Sequence, residues 1–249
     1  MLNSKEMNMS ISSKTDEKRI IVALDFDGAK ATLALLSKLD PALCRVKVGK
    51  ELFTRCGPEL VKEISREGFE IFLDLKFHDI PNTVAGAVRA AVDLGTWMVN
   101  VHATGGRAMM EAAKSAIGSS NTLLTAVTVL TSLSAIDLQE TGISDSPEQH
   151  VLRLAKLAAS SGLDGVVCSA MEIASLRRNL PAEFLLVTPG IRPAGDVVGD
   201  QKRVATPASA IALGSSYLVI GRPVTQAPDP TLKLLEVRAE IQGKIANLC

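Results

Sequence analysis

From residue 19 onward the chain alternates between two hydrophobic periods. Short runs rich in Val, Ile and Leu recur as RIIVALD (19–25), CRVKVG (44–49), EIFLDLK (70–76), WMVNVH (97–102), LLTAVTVL (123–130), DGVVCS (164–169), EFLLVTP (183–189) and SYLVIG (216–221). Runs of this length and composition predict buried strands. The stretches between them, such as AKATLALLSKL (29–39), GPELVKEISREG (57–68) and TVAGAVRAAVDLG (83–95), carry apolar residues at helical spacing. Strands joined by helical crossovers pair in parallel, because each crossover returns the chain across the sheet. Eight such strands in 249 residues predict one α/β domain, a (β/α)8 TIM barrel over 19–249. An open doubly wound sheet is the alternative.

Helix ends carry their own signals. Pro81 stands at a helix start, where its missing N–H costs nothing, and Gly68, Gly95 and Gly162 stop helices just before strands. The longest connection without periodicity runs from Thr188 to Val204, a length that in compact domains marks a lid or binding loop. Residues 1–18 are polar, lack the apolar stretch of a signal peptide, and read as a flexible N-terminal extension.

Composition narrows the function classes. Lys+Arg and Asp+Glu both number 27, so no net charge draws the chain to nucleic acid or anionic membrane. No apolar run reaches the roughly 18–20 residues that span a bilayer. Cys44, Cys56, Cys168 and Cys249 show no CxxC spacing, and two lie in or beside apolar runs, as buried reduced thiols do. A cytoplasmic protein is expected. His78, His102 and His150 have no metal-ligand spacing, and no GxGxxG, P-loop or GxSxG element is present, which argues against a metal site, hydride transfer and serine hydrolysis.

In a barrel the chemistry sits at the C-terminal ends of the strands. There the first strand ends in Asp25, the second carries Lys47, and the third ends in Asp74-Leu75-Lys76-Phe77-His78-Asp79. Strand alternation puts Asp74 and Lys76 on one face, about 6.6–6.8 Å apart along the strand, with Leu75 on the other. An Asp-x-Lys pair can be a simple salt bridge. With Lys47 and Asp79 at the same rim, the array is expensive to desolvate and easier to understand as a site. The eighth strand ends in Ile220-Gly221-Arg222-Pro223, where backbone N–H groups and a guanidinium suit a phosphate, although an ordinary turn with a surface arginine fits too. Arg192 and Gln201 in the long connection could close over the same ligand. Thr131 and Ser132 could meet a substrate edge or merely cap the next segment, and His102-Ala103-Thr104-Gly105-Gly106 reads better as a helix entry than as an anion cradle.

These residues resemble a known family. IFLDLKFHDIPNTV (71–84) is similar to the Asp-x-Lys-x-x-Asp signature of orotidine 5′-monophosphate decarboxylases in their bacterial form. The resemblance continues in order through IVALDF (21–26), RVKVGKELF (45–53), VNVHATGG (99–106), TVLTS (128–132), LDGVVCS (163–169), VTPGIRP (187–193), DQKRVATP (200–207) and IGRP (220–223). It implies conversion of orotidine 5′-monophosphate to UMP and CO2, the last step of UMP synthesis, by a homodimer of barrels with no metal and no organic cofactor. It further implies that Asp25 and Lys47 hold the ribose hydroxyls, with Lys47 also tied into the catalytic charge array, and that Asp74, Lys76 and a neighbouring subunit's Asp79 surround the reacting carbon, Lys76 being the proton donor. Thr83 would reach in from the neighbour, Thr131 and Ser132 would face the pyrimidine, and Arg192, Gln201, Gly221 and Arg222 would bind the phosphate.

Three other readings compete. Related phosphosugar barrels, such as 3-keto-gulonate-6-phosphate decarboxylases and hexulose-phosphate synthases, use magnesium and an acidic residue where this chain has Lys47. A Schiff-base aldolase would need Lys76 neutral, whereas flanking carboxylates favour the ammonium. A catalytically dead nucleotide-binding barrel would have no use for intact Asp74, Lys76 and Asp79.

Overall fold

The computed structural model describes residues 18–193 and 205–243; the N-terminal extension up to residue 17, the centre of the long connection and the last six residues lie outside these. The strands are β1 (Ile20–Ala23), β2 (Arg45–Gly49), β3 (Ile71–Phe77), β4 (Met98–His102), β5 (Leu123–Val127), β6 (Gly165–Val167), β7 (Leu185–Thr188) and β8 (Tyr217–Ile220). Each pairs in parallel with the next, and β8 returns to β1, so the barrel closes in chain order. Closure removes both sheet edges, which the open alternative would have left to be covered.

The crossovers and rim carry α1 (Ala29–Leu36), α2 (Lys50–Arg66), α3 (Pro81–Asp93), α4 (Gly106–Ile117), α5 (Ala135–Glu140), α6 (Pro147–Ser160), α7 (Ile173–Asn179), α8 (Pro207–Ala212), α9 (Arg222–Thr225) and α10 (Pro230–Ile241). Pro81 opens α3 as expected, and Gly68, Gly95 and Gly162 follow helices with φ of 87°, 73° and 80°. The helix expected from Gly57 begins earlier, at Lys50, and breaks at Gly57, whose φ of 65° no β-carbon readily tolerates. Among the described residues no helix is long and apolar enough to cross a membrane.

Two-residue alternation divides the hydrophobic residues between two cores. Val22, Val46, Leu73, Val99 and Leu186 face outward and pack under the helices, within the larger core. Ile21, Ala23, Phe72, Met98, Val187 and Val219 face inward and fill the barrel. Beneath them, at the N-terminal ends of the strands, Trp97 and Tyr217 meet edge to face with centroids 5.0 Å apart. The Arg45 guanidinium lies 4.1 Å above the Trp97 ring and 5.4 Å from that of Tyr217. It also pairs with Glu70 at 3.2 Å, which in turn holds Lys18 at 3.1 Å. The barrel floor is therefore an aromatic and cationic plug, and the mouth at the other end is left for chemistry.

Arg45→Met keeps the side-chain stem but removes the cation stacked on Trp97 and the bond to Glu70. It is expected to cost about 1–2 kcal/mol, read by urea unfolding followed through the fluorescence of Trp97, the chain's single tryptophan.

Candidate active site

The C-terminal ends of the strands enclose a cavity of about 570 Å³. Asp25 comes from beyond β1, Lys47 from β2, Asp74 and Lys76 from β3, Thr131 from beyond β5, Arg192 from beyond β7, and Gly221 with Arg222 from the end of β8; all eight line this one space. Phe26, Phe72, Val127, Val167 and Val219 supply apolar wall between them. A cleft with a few convergent charges on an apolar wall is the usual form of a small-molecule site.

The charges form a connected array. Lys47 Nζ lies 3.2 Å from Asp25 Oδ1 and 3.3 Å from Asp74 Oδ2, and Lys76 Nζ lies 2.6 Å from Asp74 Oδ1. The side chains of Lys47 and Asp74 are each only 11% exposed, while Asp25 keeps 69% of its surface in water. Burial pulls the Lys47 ammonium toward the neutral form, but the Asp74 and Asp25 carboxylates outweigh it and hold its pKa above the ordinary lysine value. Burial likewise pushes the Asp74 carboxyl up, and Lys47, Lys76 and a hydrogen bond from Asn100 reverse that, holding it below the usual carboxylate range. Both groups are charged at neutral pH because each compensates the desolvation of the other.

The third strand is irregular where it matters. Simple alternation places Asp74 and Lys76 on the same face, and both do reach the cavity, but Lys76 is not in extended conformation: its φ is 52°. A left-handed backbone is uncommon for a residue with a long side chain and costs about 1–2 kcal/mol. The β3–β4 register also shifts between Leu73 and Phe77. Asn100, fully buried on β4, bonds to both Asp74 and the Lys76 backbone. Asn100 escaped sequence reasoning although it stands in the VNVHATGG stretch (99–106), because neither that resemblance nor any spacing gave it a role. Its one signal was a polar residue on the inward parity of an otherwise apolar strand.

The other expected residues are placed as follows. Asp79 and Thr83 are exposed, at the end of the β3–α3 connection and in the first turn of α3, and neither lines the cavity of its own chain. Asp79 Oδ1 instead accepts the Ile80 N–H at 2.6 Å. Ser132 is exposed beside Thr131 but off the cavity wall. The caps of the following segments are Ser134 and Ser146 rather than Thr131 or Ser132. Gln201 lies outside the described residues. Arg192 is buried, its N–H donating to Ala205 O at 3.0 Å where the two arms of the long connection meet. Residues 103–105 form a short 3-10 turn leading into α4, as a helix entry. Thr225 and Gln226 also line the cavity and were not anticipated. Cys44 and Cys168 are buried thiols, and burial, with Asp40 adding to it, pushes Cys44 up to about 12.

A closed parallel barrel with an ionised Lys–Asp array and two arginines gathered at its C-terminal mouth defines a (β/α)8-barrel enzyme. The orotidine 5′-phosphate decarboxylase / HUMPS family profile matches residues 18–237. Proteins named orotidine 5′-phosphate decarboxylase from Halorhodospira halophila and Vibrio cholerae are 59% and 56% identical to this chain over 225 and 229 residues, spanning 90% and 91% of it and 95% and 99% of their own lengths. The crystal structure of orotidine 5′-phosphate decarboxylase from Lactobacillus acidophilus superposes with a TM-score of 0.81 at 43% identity, covering 89% of this chain and 98% of that one. The chain belongs to the orotidine 5′-phosphate decarboxylase / HUMPS family.

The array predicts a pH signature. A carboxyl whose pKa is depressed by folding adds stability above its unfolded value, about 3.9, and loses it as pH falls through the folded value. An ammonium whose pKa is raised, as for Lys47, adds stability below about 10.4 and loses it only in alkali. The stability difference between wild type and Asp74→Asn in urea unfolding should therefore stay level across neutral pH and move against the wild type below about pH 4.

Proposed function

We propose that this protein decarboxylates orotidine 5′-monophosphate to UMP and CO2, closing UMP synthesis as a cytoplasmic homodimer that needs neither metal nor organic cofactor. The observation that carries this is the Lys76 ammonium, tied to Asp74 at 2.6 Å inside a cavity that also takes Arg192 and Arg222 from the ends of β7 and β8. Close relatives that carry the same name support it.

Loss of CO2 breaks the bond from C6 to the carboxylate and leaves the electron pair in an sp² orbital on C6, where no neighbouring carbonyl can absorb it. The protein must then supply opposite charge and a proton. Lys76 does both: its ammonium faces the developing pair, then transfers a proton from Nζ to C6, giving UMP and a neutral amine that recovers its proton from solvent. Asp74 keeps that ammonium aimed, with Asp79 of the partner subunit closing the far side. Crowding of Asp74 against the departing carboxylate contributes at most a part. Two unit charges at about 4 Å repel by about 4 kcal/mol at an effective dielectric near 20. Enzymes generally lower barriers by ~8–23 kcal/mol, so stabilisation of the carbanion carries most of the effect.

Asp25 and Lys47 hold the ribose hydroxyls, Thr131 and Ser132 meet the pyrimidine edge, and Arg192, Gln201, Gly221 and Arg222 bind the phosphate. Thr83 of the partner subunit reaches the ribose end. The exposure of Asp79, Ile80 and Thr83 supports that assignment, since residues that complete a neighbour's site must be free of their own. Against a magnesium-dependent relative, Lys47 bridges Asp25 and Asp74, so an ammonium already neutralises the carboxylates a divalent cation would need.

Purified protein should lower the absorbance of orotidine 5′-monophosphate with EDTA present, and Lys76→Ala should reduce turnover by at least about 10²–10⁴-fold. No turnover by folded wild type would reject the assignment. Contacts to the phosphate, remote from the broken bond, can appear in the rate by closing the 189–203 loop and assembling the charged site. Arg222→Ala is thus expected to lower kcat/KM by about 10- to 100-fold, and an unchanged value would remove the loop-closure account.

A further inference from the structure

Lys76 owes its placement to a defect in the sheet. Phe72 and Leu73 face Met98 and Val99 across the β3–β4 ladder, but the next facing pair is Phe77 with Val101. More of β3 therefore runs between these pairings than of β4, and the surplus carries Asp74, Leu75 and Lys76. Bulges of this kind leave main-chain groups without ladder partners, and they recur beside active sites, where they re-aim a side chain. Here the bulge includes the left-handed turn at Lys76.

Asn100 supplies what the ladder lacks. It stands opposite the bulge with 0% exposure. Its Oδ1 accepts the Lys76 backbone N–H at 2.8 Å, taking the place of a strand carbonyl. Its Nδ2 donates to Asp74 Oδ1 at 2.7 Å, the same oxygen that accepts Lys76 Nζ at 2.6 Å. The amide can point only one way: the carboxylate needs a donor and the main-chain N–H needs an acceptor. One planar group thus fixes the lysine at its root and fixes the anchor of its tip.

We propose that Asn100 is a positioning residue for the Lys76 ammonium, holding the bulge that turns this side chain toward the reacting carbon and fixing the Asp74 oxygen that restrains it. This rests on the decarboxylase reading above. Among the described residues the Asn100 side chain bonds to Asp74 and the Lys76 backbone and not to Arg192, Arg222 or Asp25, so its effect falls on the chemical step and not on substrate capture. A displacement of the ammonium by about 1 Å is enough to cost about 100-fold in rate.

The test compares wild type, Asn100→Asp and Asn100→Leu, with Thr125→Val as control. Thr125 faces Asn100 on β5, is equally buried, and has no hydrogen-bond partner for its hydroxyl among the described residues. Both Asn100 variants should remain folded by circular dichroism and lose about 100-fold in kcat, with KM within about three-fold of wild type, while Thr125→Val keeps its rate. Asn100→Asp should also change the pH profile. Its new carboxyl repels Asp74 when ionised, but when protonated it can donate to Asp74 as the amide did, so kcat should recover as pH falls. Asn100→Leu should show no such recovery. Unchanged kcat in both folded variants would overturn the proposal, and so would a loss of folding in Asn100→Asp, which would assign Asn100 to the barrel and not to the site. Absence of turnover by wild type is a different failure: it removes the decarboxylase reading itself, and the positioning role with it.

Discussion

Taking an ion out of water costs several kcal/mol unless its partners replace the lost hydration. In this barrel that constraint falls on Asp74, nearly buried and yet held in its charged form. Each of its oxygens has a lysine, and one has an amide as well. The surrounding architecture follows from that requirement. β2 must place a lysine beside β3, β4 must carry a buried polar residue in an apolar strand, and β3 must bend out of register so that a second ammonium returns to the carboxylate two residues before it. Asp25, at the outer end of the array, escapes the constraint by remaining in water.

The arrangement also explains why the two ends of the barrel differ so much. Residues filling the barrel near the floor are largely aromatic or aliphatic, and the Arg45 cation there is stacked and paired. Inward residues near the mouth on the first three strands are charged. A single strand such as β3 therefore changes character along its length, from Phe72 in the packed interior to Lys76 at the site. Stability and chemistry are separated by a few residues of extended chain.

Much of this was legible in the sequence, for identifiable reasons. The eight strands could be placed because a strand buried on both faces must be almost continuously apolar, and helical crossovers force parallel pairing. Asp74 and Lys76 were legible as a pair because strand parity joins them. The backbone that shapes their contact was not, because parity describes a regular strand and Lys76, though within β3, leaves the extended conformation. Asn100 was invisible as a site residue for the same reason: its role exists only once two strands lose register, and register is not written in either strand alone. The break at Gly57 and the end of β5 at Val127, short of the apolar Val129 and Leu130, show the same limit at element boundaries. Apolar residues continue where hydrogen bonding does not.

The aromatic floor has a consequence for traffic. With Trp97, Tyr217 and Arg45 stoppering one end and the inner core packed above them, the described residues leave the barrel interior open at the mouth. On the decarboxylase reading, a nucleotide entering through that mouth stands between the reacting carbon and bulk solvent. On that reading the packed floor turns CO2 back toward the mouth, so the order of departures becomes a matter of plumbing: the gas passes the nucleotide or waits for it to leave.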